Sequence, residues 1–121
     1  MSEQIINALG KSVYYEECKG NFAQARKLAE QLVQAAQSAG DPSALADART
    51  SRGFVHLLQG EILKALDCFR EIDRLVPHDA DRCLLALSFD LLATYEQFNM
   101  SRIAMEWTRS KSRLVGIHWM T

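Results

Sequence analysis

The chain has 121 residues, 48% of them hydrophobic and 24% charged, and its 14 Lys and Arg nearly balance 15 Asp and Glu for a formal net charge of −1. This combination excludes a disordered chain, which pairs low hydrophobicity with high net charge. It also argues against a basic coat for nucleic acid or membrane. With only two prolines and six glycines, punctuation is sparse and favours few, long elements.

Apolar residues recur at helical spacing along most of the chain, and no stretch sustains the alternation of a strand. A first helix should end at Gly20-Asn21, where Asn21 is placed to cap the second. The second carries the stripe Phe22, Ala25, Ala29, Leu32 and Ala36. Gly40-Asp41-Pro42 ends it and opens a third, with Asp41 as cap and Pro42 in the first turn. Gly60 separates the third from a fourth, whose apolar face is Ile62, Ala65, Leu66, Phe69, Ile72 and Val76. Its other face bears Lys64, Asp67, Arg70, Glu71 and Arg74, opposite charges three apart that support the helix weakly.

Pro77-His78-Asp79 ends the fourth helix and offers Asp79 as the next cap. The fifth, Asp79 to Phe98, is apolar on more than one face. Leu84, Leu87, Leu91 and Tyr95 form one row, and Leu85, Phe89 and Leu92 another. A helix of this kind must meet neighbours on several sides or present a face to a partner. Asn99-Met100-Ser101 should separate it from a sixth. The short connections predict antiparallel neighbours.

The breaks recur in step. Gly20, Gly60 and Asn99 are 40 and 39 residues apart, and an alanine (Ala25, Ala65, Ala104) stands five residues after each. A small residue returning at one helical place marks a close approach of two helices. The spacing predicts three copies of a helix–turn–helix unit, over about residues 2–40, 42–78 and 79–115, with an apolar tail at 116–121.

The second unit resembles the tetratricopeptide repeat (TPR) family through Gly53, Gly60, Ala65, Phe69 and Pro77. The first unit matches at Gly20 and Ala25, and the third at Leu84, Tyr95 and Ala104. His56 and Arg52 depart from the pattern, and the units are longer than the family's 34 residues. In length they resemble the sensor domains of maltose-activator-like bacterial regulators. The resemblance implies an all-α, right-handed superhelical stack of three antiparallel hairpins. It also implies a concave groove lined by the first helix of each unit, with Asn7, Gly10, Tyr14 and Glu17, then Asp47, Thr50, Phe54 and Leu57, then Ala86, Phe89, Ala93 and Glu96. Aromatics flanked by acids would suit an apolar, basic helix or extended peptide. The positions of a co-chaperone carboxylate clamp hold Gly10, Tyr14, Ser51, Ala86 and Asp90, none of them cationic. That speaks against a clamp.

Catalytic and metal chemistry find little footing. His56, His78 and His118 form no ligand-spaced pair, and there is no glycine-rich phosphate loop. His56 reads as a packing imidazole. Cys18, Cys68 and Cys83 make an odd number without a CxxC pair, which predicts reduced thiols in a cytoplasmic protein without a cofactor. The opening Met-Ser-Glu-Gln-Ile-Ile lacks the charge pattern of a signal peptide. Arg102, Arg109, Lys111 and Arg113 make the last helix locally basic, yet no aromatic interleaving accompanies them, so a solvated face is preferred to nucleic-acid contact. The apolar run from Leu114 to Met120 should fold back on the last unit or meet another chain. Trp107, Leu114 and Trp119 are the candidates for self-association there. The expectation is therefore a non-enzymatic protein-interaction module. Its alternative is a sensory or self-associating segment of a bacterial transcription regulator.

Overall fold

The computed structural model describes the backbone of residues 2–113 and the side chains of residues 3–99. Among the described residues the chain is all helical: α1 (Ser2–Lys19), α2 (Phe22–Ala39), α3 (Pro42–Leu58), α4 (Ile62–Arg70), the single turn α5 (Ile72–Leu75) and α6 (Ala80–Arg113). Each long helix packs on the one before it, and α3 also touches α1, α5 and α6.

The turns form where glycine allows a left-handed residue. Gly20, Gly40 and Gly60 have φ of 79°, 70° and 79°, a region that costs other residues a Cβ clash. The turns at Gly20 and Gly60 share one geometry. Each glycine donates to the carbonyl three residues back at 3.0 Å, and the next residue donates to the carbonyl five back at 2.9 Å, the pair of bonds that closes a helix end. The helices that follow begin alike, and Ala25 and Ala65 are both fully buried. Asn21 occupies the cap position of α2, but its side chain makes no capping bond, contrary to expectation. Asp41 does cap, its Oδ1 accepting from the Ser43 N–H at 3.0 Å, and Asp79 Oδ1 accepts from the Arg82 N–H at 3.1 Å.

Three apolar clusters follow the stripes. Val13, Ala25, Ala29, Leu32, Val33, Ala36, Ala48 and Val55 join α1, α2 and α3. Ile62, Ala65, Leu66, Phe69 and Ala93 join α4 to α6. Ala46, Ile72, Val76 and Ala86 join α3, α5 and α6. Alanine dominates because the helices approach closely. At Gly53 even a methyl is too much: a Cβ there would lie 2.6 Å from Phe69 Cε1 and 2.9 Å from Cys68 Cβ. Glu61 ties α2, α3 and α4 together, with its carboxylate 3.0 Å from His56 Nδ1, 3.2 Å from Arg26 and 3.3 Å from Lys64. His56 is accordingly buried and bonded, as a packing imidazole.

Two expectations are corrected. The fourth helix does not run unbroken to Pro77. It pauses at Glu71, whose carboxylate pairs with Arg49 of α3, and resumes as α5. More consequentially, no break occurs at Asn99-Met100-Ser101, because α6 is continuous for 34 residues. Residues 80–113 are thus one helix and not the expected third hairpin. Residues 80–113 contain neither glycine nor proline. Asn and Ser inside a helix cost only about 0.5 kcal/mol each relative to alanine, so local sequence does not force a reversal.

Candidate partner-binding groove

α1, α3 and the start of α6 lie along one side of the molecule, and between them opens a cavity of about 850 Å³. Asn7, Gly10 and Tyr14 line it from α1, Asp47 and Ser51 from α3, and Arg82 from α6. Four of the expected groove residues, Asn7, Gly10, Tyr14 and Asp47, are therefore gathered around one space. Tyr14 is 69% exposed. An aromatic ring left so open beside a concavity is the kind of side chain that anchors partners.

Glu17, one helical turn beyond Tyr14, is half-buried, and its Oε2 is buried without a hydrogen-bond partner. Burial raises its pKa above the usual carboxylate value, since desolvation penalises the charged form. Glu17 does not line the cavity.

Asp47 behaves otherwise. Both of its oxygens accept from the Arg82 guanidinium, at 2.8 and 3.0 Å, and Arg82 also donates to Asp79 at 2.6 Å. The two carboxylates hold Arg82 well above its already high pKa, and Arg82 in turn lowers that of Asp79. The acid expected to attract a basic partner is thus already neutralised. The cation that neutralises it, on the cavity wall, was missed by sequence reasoning. Asp79 and Arg82 stand three apart at a helix start, a legible pair, but Asp47 lies 35 residues away from Arg82 and only the tertiary fold joins them.

The other expected groove residues belong to a second place. Phe54 and Phe89 are half-buried with ring centroids 5.4 Å apart, and Phe89 lies 5.5 Å from buried Phe69. This chain of tilted rings, a favourable arrangement for aromatic quadrupoles, joins α3, α6 and α4. Leu57 packs against the same cluster. Phe54, Leu57 and Phe89 thus hold helices together before they can hold a partner. Ala93 is fully buried in the α4–α6 contact and Ala86 is 3% exposed, so neither reaches a partner. Thr50 spends its hydroxyl on the Ala46 carbonyl at 2.9 Å, and Glu96 is exposed further along α6. Of the self-association candidates, Leu114 and Trp119 lie outside the described residues, and Trp107 outside the described side chains.

Among the described residues no three His, Cys, Asp or Glu side chains gather in a way that could hold a metal ion. The Cys83 thiol donates to the Val76 carbonyl at 3.3 Å, and its pKa is raised, first by the neighbouring Asp73 carboxylate and then by burial. That is the reverse of what activates a thiolate. No helix among the described residues is long and apolar enough to cross a membrane. Comparison of the chain with protein-family models, with curated proteins and with solved structures finds no match.

Proposed function

We propose that this chain is a non-enzymatic interaction module of TPR-like, long-repeat type, whose α1–α3–α6 groove receives a helix or extended peptide from a partner protein. The observation that carries this reading is the open concavity with Tyr14 on its wall, too exposed to serve the core and well placed to serve a ligand. Two further features support it. The turns at Gly20 and Gly60 repeat one geometry forty residues apart, as units of a right-handed superhelical stack would. Gly53 sits against the second helix of its unit, where the family's small residue permits close packing.

The partner's chemistry follows from the wall. An apolar side chain would stack on Tyr14, which lines the groove. Because Asp47 is already paired with Arg82, it offers a basic partner little attraction. Peptides selected from a random library on the immobilised chain should lose about tenfold or more in affinity on Tyr14→Ala, the loss expected of an aromatic anchor. Ser51→Arg, which fills the groove, should act alike. Retained binding to both variants, with unchanged circular dichroism, would remove the groove from consideration.

A further inference from the structure

α6 buries one side and leaves the other open. Ala86 and Ala93 are buried, and Arg82, Phe89 and Asp90 are half-buried toward α3 and α4. Facing away from them, Leu84, Leu87, Leu91, Tyr95 and Phe98 are 63, 53, 61, 60 and 65% exposed. Leu84, Leu91 and Phe98 stand seven residues apart, with Leu87 and Tyr95 between them. A seven-residue spacing drifts only about 20° per repeat on a straight helix, so these side chains form one ridge along the axis. A ridge of this period fits another helix laid alongside.

Size and charge say what that helix is. With Leu85 and Leu92 flanking it, the exposed apolar area is on the order of 700 Å², beyond the largest patch of a typical monomer. It approaches the roughly 800 Å² that each partner contributes to a standard stable interface. From Cys83 to Asn99 the only charged residues are Asp90 and Glu96. Asp90 is turned away to Arg70, which donates to it at 2.8 Å, and Glu96 falls off the ridge by its helical position. Within that stretch no Lys or Arg provides the basic rim a lipid surface would want, and a charged peptide would find nothing to pair with there. A second copy of the same ridge satisfies both the area and the neutrality, with no like charges brought together.

We propose that the Leu84–Leu91–Phe98 ridge of α6 is a homotypic docking surface, on which a second copy of this chain lays the same ridge antiparallel. A two-fold axis at Leu91 places Leu84 opposite the second copy's Phe98, and Leu87 opposite its Tyr95. Every large side chain then meets an apolar one, as a self-complementary contact requires. This surface lies apart from the groove and does not depend on the groove reading.

Light scattering on the full chain across a wide concentration range tests this. The expected mass doubles as concentration rises. Leu91→Glu, which sets two carboxylates together at the axis, should abolish the dimer while leaving helicity intact, because Leu91 is open in the single copy. In a Cys18→Ser, Cys83→Ser background, Leu91→Cys should cross-link two copies on oxidation. A chain that stays monomeric at the highest concentration overturns the proposal, whether another segment of the same chain or a different protein covers the ridge. So does a dimer that survives Leu91→Glu, and a dimer that gives no Leu91→Cys cross-link overturns the antiparallel register.

Discussion

At Gly60 the chain reverses direction; at Asn99, 39 residues later and at the same expected phase, the helix continues. The two places differ in backbone freedom and in what pins the flanking helices. Gly60 takes a φ of 79° without strain, and the turn is clamped on both sides. His56 O accepts from the Glu61 N–H while the Glu61 carboxylate meets the His56 ring. Seven residues before the turn, Gly53 lets α4 come within contact of α3. Residues 99–101 offer neither a glycine nor such a clamp by their types. At Gly60 a left-handed residue and a packing reward act together, and a matching period alone does not produce a reversal.

The largest expected effect lies where the reward is greatest. Gly53→Leu pushes a side chain into Phe69 and Cys68 and should destabilise by roughly 1–3 kcal/mol, read from urea unfolding. A neutral result would mean that α3 and α4 are not held at this distance.

The backbone half of the comparison is tested by a matched pair. A methyl at Gly60 meets nothing within 4 Å, so Gly60→Ala isolates the left-handed strain and should cost about 1–2 kcal/mol. Asn99→Ala, inside α6, should instead stabilise by about 0.5 kcal/mol. Equal losses at the two positions would show a turn at both.

The smallest effect concerns the clamp. The hydrogen bond with His56, then Lys64 and Arg26, hold the Glu61 pKa below its ordinary value. A depressed carboxylate contributes stability that is present above its unfolded pKa and lost as pH falls through the folded one. Thermal stability should therefore decline below the usual carboxylate range, and Glu61→Gln should flatten that decline. Asp79, lowered by Arg82, contributes in the same direction, so some decline should remain. A wild-type profile identical to that of Glu61→Gln would show that the clamp carries no stability.

Much of the local architecture was legible because local chemistry dictates it. Gly20, Gly40 and Gly60 announced three turns, Asp41 and Asp79 announced caps, and the stripe in α4 named its own buried face. The candidate site was less legible. Tyr14 and Asp47 could be placed on one wall through the resemblance, but spacing could not reveal that Arg82 neutralises Asp47. Nor could it separate Phe54 and Phe89, which pack α3 onto α6, from ring positions left free for a partner. Burial distinguishes an anchor from a core residue, and burial depends on neighbours distant in sequence.

The sequence by itself determined the helices and the ends of the first three, since capping, glycine freedom and apolar periodicity act within a few residues. Tertiary structure decided which apolar stripes found cover. α2 and α4 lie between neighbours and bury their faces, whereas α6, running on past Asn99, packs one side and leaves Leu84, Leu91 and Phe98 open. The hydrophobic effect rewards any cover over such a row equally, being non-directional. Only the arrangement of helices in space shows which row is left without one.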